Sequence, residues 1–492
     1  MHLSPYSPIA FLLYNTNMQI NDEFEVKIDS FSNLGTGIAK IDGQVVFIEN
    51  VCPDDFVKIK ITKVNKNFAN AIPVEIIEPS PNRCEPICPM QKVCGSCQMG
   101  FIDYDYQLKL KKQIVEDAIK RIGGLDIEIN DVIPSPKIKN YREKIQYPVS
   151  QTKNSKRILA GYYKPQSHDI VNIKYCPIQP SICDEIIQFI REKTPELGIS
   201  GYDEKTHKGD LRHIVIRGSE YSGKFLVTLV VNKNLSLRGG RKSDVVISSN
   251  INDKAIATPS ARNDNNFLAL AHEIFNKFDE VTGVCINFND KKTNVILGEK
   301  TICVAGVDFV EEKIIDKVFK IGADTFFQVN PKSAENIFKY VKEEVKKFEN
   351  PTVLDAYAGI ATFGIVVSDV AKSVVSVEFN KNSIEKAKEV LEENNIENVE
   401  LFAQDTVKYL KSIKKKFDIT ILDPPRKGCT QESLDETLNH TKKEIIYVSC
   451  NPATLARDLK YLTSKRCKVE SIQPFDMFCH TYHVENVAII SI

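Results

Sequence analysis

Polar and apolar residues alternate near the start of the chain and give way to continuous apolar blocks near its end. Residues 23–28 (Glu-Phe-Glu-Val-Lys-Ile) and 55–61 (Asp-Phe-Val-Lys-Ile-Lys-Ile) have a period of two, and 43–48 is a looser case. Such alternation marks strands with one buried face. Gly35, Gly37 and Gly43 punctuate these runs, and Pro73 and Pro79 are expected to end the segment. Several short strands within residues 19–80 predict a small barrel. Residues 103–123 carry Leu108, Val115, Ile119 and Ile122 at helical spacing and should stop at Gly123-Gly124. Between 125 and 320 strands are expected at 144–149, 211–217, 225–231 and 293–297, and polar 232–270 reads as a loop-bearing insertion. From residue 337 the blocks 352–356, 373–377, 399–403, 418–422, 444–449 and 468–473 alternate with helical stretches such as 381–394. That order predicts a doubly wound α/β sheet. The last block, 485–492, follows 468–473 closely enough to pair antiparallel with it.

The 492 residues suffice for about three domains. They divide as an extension of little weight (1–18, with Met18 a candidate start), the barrel (19–80), an α+β central domain (81–335) and the α/β domain (336–492). Lys+Arg and Asp+Glu number 65 each, so net charge is silent on nucleic acid and any basic surface must be local. Thirteen cysteines without a signal peptide point to reduced, metal-bound or catalytic thiols and a cytoplasmic protein. No run approaches the ~18 apolar residues of a membrane span, so no membrane partner is expected.

Candidate chemistry starts at Ile445-Ile446-Tyr447-Val448-Ser449-Cys450-Asn451-Pro452. Cys450 follows an apolar strand, and Asn-Pro opens a helix. A thiol at the carboxyl end of such a strand faces the crevice where α/β sheets bind ligands. The plain alternative is a core cysteine. Leu422-Asp423-Pro424-Pro425-Arg426 closes the preceding strand and His483-Val484-Glu485-Asn486 opens the last. The three stretches together resemble the uracil-C5 RNA methyltransferases. The resemblance implies that Cys450 is the nucleophile and Glu485 the base, with Asp423 near the uracil edge. The order from Phe31 to Phe47 likewise resembles the TRAM domain, an OB-like RNA-binding barrel.

Val353-Leu354-Asp355-Ala356-Tyr357-Ala358-Gly359 leads from a strand into a glycine turn, and Thr362 opens the next helix. Gly359 lets backbone approach a ligand, and an acidic residue at the end of the second strand, Glu378, suits ribose hydroxyls. The series Gly359, Glu378, Asp405, Asp423 looks like an S-adenosylmethionine site in a Rossmann-like methyltransferase domain. The resemblance adds Gln328 from Phe326-Phe327-Gln328-Val329-Asn330, together with Tyr357 and Thr362. Phe326 is a candidate for stacking on the target base. The family has a second glycine where this chain has Ala361, whose methyl is expected to narrow the turn.

Cys88, Cys94 and Cys97 have the spacing C-x5-C-x2-C in a loop over 81–100 and read as metal ligands. Cys84 would complete a four-cysteine zinc site; Cys176, before Pro177, is a distant fourth ligand, and spacing does not choose between them. The rRNA branch of the family carries a [4Fe–4S] cluster on this spacing, completed by a cysteine in a Cys-Pro context. The resemblance therefore implies Cys88, Cys94, Cys97 and Cys176, with 23S rRNA as partner and a monomeric enzyme. RNA contacts are expected from the barrel and from Arg142, Lys144, Arg212 and Arg217. Four rivals remain. The tRNA branch typically lacks barrel and cluster. A radical enzyme using C-x3-C-x2-C fails at Gln91. A methyltransferase of exocyclic amines needs neither Cys450 nor Glu485. A non-catalytic RNA-binding module with a metal staple would not need them either.

Overall fold

The computed structural model describes residues 18–152, 155–232 and 259–492. The chain divides into two units, one reaching Lys92 and including Cys97–Ile114 and His480–Tyr482, the other made of Val93–Ser96, Val115–Cys479 and His483–Ile492.

In the first unit β1 (Glu23–Lys27), β2 (Ser30–Phe31), β3 (Gly37–Ile41), β4 (Gln44–Ile48), β5 (Phe56–Val64) and β6 (Phe68–Glu78) form one sheet ordered β1-β5-β6-β4-β3-β2. Its two edge strands are joined through Ile28 and Asp29 alone. A flat six-stranded sheet is roughly 24 Å wide at ~4.8 Å per strand, beyond the reach of so short a link. The sheet must curl, and Asp29 N–H donates to the Ile38 carbonyl at 2.8 Å where the edges meet. Val26, Ile28, Val46, Ile48, Val57, Ile59 and Ile61 fill the interior, and Met18 is buried with them. The remainder of the 1–18 extension lies outside the described residues.

Pro73 does not end the segment as expected. The strand runs through it to Glu78. Pro73 sits opposite Ile59 where the β5–β6 register shifts, and β4 pairs with β6 only as far as Ala71, so its missing N–H costs no ladder bond. Helix α1 (Tyr104–Ala118) matches the expected helix and continues as a π-helical turn, Ile119–Gly123, ended by Gly124 at φ 66°.

In the second unit β7 (Lys144–Gln151), β8 (Ile158–Ala160), β9 (Leu211–Gly218), β10 (Phe225–Val231), β11 (Val281–Phe288) and β12 (Lys300–Gly306) form a sheet ordered β12-β11-β10-β9-β7-β8, with helices α2 (Ser181–Glu196) and α3 (Pro259–Lys277). The expected strand at 293–297 is absent. Carbonyls there are taken by side chains: Asn289 Nδ2 donates to Val295 and Ile296, and Arg212 to Lys291 and, at 3.5 Å, Thr293. Of the expected loop insertion, 233–258 lies outside the described residues, and 259–270 is helix, part of α3. Arg212 and Arg217 are also corrected. They are 4% and 1% exposed, and Arg217 donates to the carbonyls of Thr325 and Phe327. Their guanidiniums anchor loops rather than face RNA. The hairpin β13 (Phe309–Ile314) and β14 (Lys317–Gly322) was not foreseen.

After α4 (Pro331–Lys346) come β15 (Thr352–Ala356), β16 (Ser373–Glu378), β17 (Val399–Ala403), β18 (Phe417–Leu422), β19 (Thr441–Ser449), β20 (Lys468–Phe475) and β21 (Glu485–Ser491). Their order is β17-β16-β15-β18-β19-β21-β20, and β21 runs antiparallel to both neighbours. Helices α5 (Thr362–Val367), α6 (Lys381–Glu393), α7 (Thr406–Ser412), α8 (Gln431–His440) and α9 (Pro452–Ser464) connect the strands. Val353 and Ile446 pack into one apolar cluster, and their neighbours Leu354 and Ile445 into another. Both faces are thus covered, which is why the strands read as apolar blocks. Among the described residues no helix is long and apolar enough to cross a membrane.

The barrel unit depends on one buried carboxylate. Asp55 accepts from Cys52 N (2.6 Å), Ser80 N (2.9 Å) and Arg83 Nε and Nη2 (2.7 Å each). Asp55→Ala strands four donors from three residues and should cost the barrel about 3 kcal/mol. Hydrogen exchange of the β5 and β6 amides should speed up accordingly; unchanged protection would contradict this.

Candidate active site

The register of the last strand pair builds the site. β19 and β21 place Ser449 opposite Asn486, so one residue further on Cys450 comes opposite Glu485. β18 pairs Leu422 with Tyr447, which sets Asp423 at the same sheet edge. Asn486 Nδ2 secures the junction by donating to the carbonyls of Ser449 (3.3 Å) and Val484 (3.1 Å). Asn451 then caps α9 through Ala453 N (3.0 Å), and Asn451 Nδ2 and Thr454 Oγ1 each hold the Arg426 carbonyl at 3.3 Å.

These strand ends open into a cavity of about 640 Å³ lined by Cys450, Glu485, Asp423, Gln328, Tyr357, Gly359, Thr362 and Glu378, all singled out from sequence. Phe326 lies at its edge, 66% exposed. Arg426, Asn380, Ser383 and Phe478 also line it and had been given no role. For Arg426 the signal was present, two residues after the strand-end Pro424. Asp405 is not part of the lining. Its Oδ1 accepts from Lys408 N (3.0 Å) as the N-cap of α7, a position that favours Asp for its own sake.

The turn after β15 is held in an unusual conformation. Tyr357, Gly359 and Ala361 have φ of 63°, 58° and 57°. For the two non-glycine residues this costs about 1–2 kcal/mol each, and such strain concentrates at functional sites. A Cβ at Gly359 would meet nothing within 4 Å. Glycine here leaves open space on the cavity side. Ala361 is fully buried in the apolar cluster and lies outside the cavity lining. Glu378 holds the turn, Oε2 accepting from Gly359 N (3.0 Å) and Oε1 from Asn380 N (2.8 Å). Tyr357 Oη pairs with Ser433 Oγ at 2.7 Å.

Three groups whose protonation burial shifts most, Cys450, Glu485 and Asp423, share this cavity with the Arg426 guanidinium. Burial, then the Glu485 carboxylate, pushes the Cys450 thiol up to about 11, against the pull of Arg426. Burial and then Asp423 push Glu485 up to about 8, again opposed by Arg426. Burial and then Asp355 push Asp423 up to about 7. Near neutral pH the site therefore rests with its thiol and much of its carboxyl population protonated. Such shifts belong to groups poised for proton transfer.

Cys88, Cys94 and Cys97 are half-buried, Cys176 is buried and Cys84 is exposed. Cys88 Sγ accepts from Met90 N at 3.4 Å. Among the described residues no three His, Cys, Asp or Glu side chains gather in an arrangement suited to a metal.

A family model described as tRNA (uracil-5-)-methyltransferase matches residues 291–491, and a TRAM domain model matches residues 18–74. A protein of Clostridium acetobutylicum, named an uncharacterized RNA methyltransferase, is 36% identical over 96% of this chain and 97% of its own length. One of the same description from Bacillus cereus is 34% identical over 96% and 97%. The solved structure of Pyrococcus abyssi tRNA (uracil-54, C5)-methyltransferase with S-adenosyl-L-homocysteine matches at TM-score 0.70 and 26% identity, covering 95% of this chain and all of that one.

The electrostatics predict an order of thiol reactivity. Alkylation of Cys450 by iodoacetamide, read by peptide mass spectrometry across pH, should have a midpoint above the ~8.5 of a free thiol. Arg426→Ala should move it higher and Glu485→Gln lower. The opposite order would show that other groups govern the thiol.

Proposed function

The chain belongs to the RNA uracil-C5 methyltransferase family, and from that premise we propose that it methylates C5 of a uridine in 23S rRNA through a covalent bond between Cys450 and uracil C6. The observation that carries the proposal is the opposition of Cys450 and Glu485 in the cavity that also holds Gly359 and Glu378.

S-adenosylmethionine supplies an electrophilic methyl carbon. Uracil C5 is too weak a nucleophile to take it unaided. The Cys450 thiol first gives up its proton to solvent; addition of the thiolate to C6 then moves an electron pair toward the C4 carbonyl, and the enolate formed is nucleophilic at C5. After transfer C5 bears both methyl and hydrogen. Glu485 takes that proton, the C5–C6 double bond reforms, and Cys450 leaves as thiolate. Arg426, beside both groups, favours their ionised forms. Asp423, when ionised, accepts from uracil N3–H, and Phe326 offers a face to a base that must be unstacked to enter. Glu378 retains lone pairs for ribose hydroxyls beyond those that hold the turn. Gln328, Tyr357 and Thr362 complete the cofactor walls.

The rRNA assignment rests on the TRAM barrel and on the C-x5-C-x2-C spacing. A second reading, a tRNA substrate, is favoured by the Pyrococcus abyssi tRNA enzyme, which aligns over 95% of this chain. Neither the barrel nor the loop excludes it. The [4Fe–4S] proposal keeps Cys88, Cys94, Cys97 and Cys176 as ligands. The N–H···S bond at Cys88 suits thiolate ligation, while among the described residues no group of three or more His, Cys, Asp or Glu stands out as a metal site. No step of the mechanism passes through the cluster.

Mapping 5-methyluridine in 23S rRNA and tRNA from cells lacking this chain should reveal one or more positions lost from the rRNA; loss from tRNA alone would establish the second reading. Glu485→Gln, nearly isosteric but a far weaker base, should complete methyl transfer and then stall. It should give a protein–RNA adduct that survives denaturing electrophoresis and carries methyl label. Normal turnover by this variant would remove Glu485 from its role. Anaerobically purified protein should contain about four iron and four sulfide per chain; zinc without sulfide would exclude the cluster.

A further inference from the structure

A second concavity, about 230 Å³, lies away from the methyl-transfer cavity, between β8, residues 172–174 and α2. Arg191 of α2 lines it and is only 5% exposed. Arg191 Nη2 donates to the carbonyls of Ala160 (2.5 Å) and Ile173 (2.6 Å), and its Nε has no partner. No carboxylate pairs with this guanidinium among the described residues. Holding a cation in the interior without a counter-charge is costly. Asp184 attracts this guanidinium without forming an ion pair with it, so a charge with no direct partner borders a concavity that an anion can enter.

The other walls point the same way. Arg157 and Lys174 line the concavity, both exposed and neither in an ion pair among the described residues. Asn172 uses its Oδ1 to accept from Ala160 N (3.3 Å), which leaves its amide donors for other partners. The one carboxylate in the lining, Glu192, accepts from Gln188 Nε2 (2.8 Å) on its own helix. Three cations thus face one tethered carboxylate. The volume is below the ~300–1,000 Å³ of small-molecule sites and suits a single phosphate group, whose oxygens match a guanidinium fork.

We propose that Arg191, Arg157 and Lys174 form a subsite for one phosphate of the RNA backbone, separate from the cavity that takes the reacting base. This rests on the reading that the substrate is RNA. The subsite fixes the position of the strand on the central sheet and carries no base specificity.

The test uses the full chain and two exposed residues whose loss leaves the fold intact. Affinities of wild type and the Arg157→Ala/Lys174→Ala variant are measured for an unmodified 23S rRNA transcript and for bulk tRNA, from about 50 to 200 mM salt. The variant should bind more weakly at low salt, with a log–log salt slope shallower by about one unit, as expected for one lost phosphate contact. Equal slopes and affinities for both RNAs would overturn the proposal. So would inorganic phosphate that binds wild type calorimetrically, at constant ionic strength, but not the variant, while RNA affinity stays the same; the site would then serve a small phosphate compound. Binding is read without methyl transfer. A slope change in a chain that does not methylate rRNA would therefore reject the proposed function and leave the subsite standing.

Discussion

The site depends on the register of one antiparallel strand. β21 enters between β19 and β20 against the direction of β19, and Ser449 pairs with Asn486. That pairing alone brings residues 450 and 485 together. A slip of one residue would turn every side chain of β21 to the opposite face and withdraw Glu485 from Cys450. Val487 and Ile489 pack into one apolar cluster and Ala488 and Ile490 into the other, so a slip would force both to repack. Core packing and catalytic geometry are thus set by the same residues. Asn486 adds a polar lock at the one place where the strand meets the cavity.

A charge conflict follows from this geometry. The Cys450 thiol and the Asp423 and Glu485 carboxyls share a partly enclosed space with the guanidinium of Arg426, and burial opposes ionisation of all three. Full ionisation of these three would leave at least two negative charges unbalanced, so the site favours holding protons at rest. Arg426 reaches its position through its backbone, because its carbonyl is held by Asn451 and Thr454, the residues that begin the helix after Cys450. Cys450 and the guanidinium beside it are thus mounted on one piece of structure.

Much of this was legible in the sequence, for physical reasons. Strands of a doubly wound sheet are buried on both faces, so they stand out as apolar blocks, and 352–356 and 399–403 were placed to the residue. The alternation of 23–28 and 55–61 foretold a barrel, and the TRAM match bears that out. Where side chains replaced backbone as hydrogen-bond partners, pattern failed. Residues 293–297 look like a strand, yet their carbonyls belong to Asn289 and Arg212. Arg212 and Arg217 look like surface cations, yet each is buried on carbonyls far away in sequence. Asp405 sits at the right strand end for a cofactor ligand, but the same carboxylate also suits a helix N-cap, and the cap is what the structure shows. Arg426 was visible but unassigned, because its role depends on a neighbour opposite in space.

The central claim is chemical: the methyl group replaces a hydrogen at C5 of uracil. RNA transcribed with uridine tritiated at C5 tests it most directly. Incubated with the enzyme and S-adenosylmethionine, it should release one tritium to water for each methyl gained, and Cys450→Ala should release none. Methyl incorporation with all tritium retained would place the reaction on another atom and contradict the account.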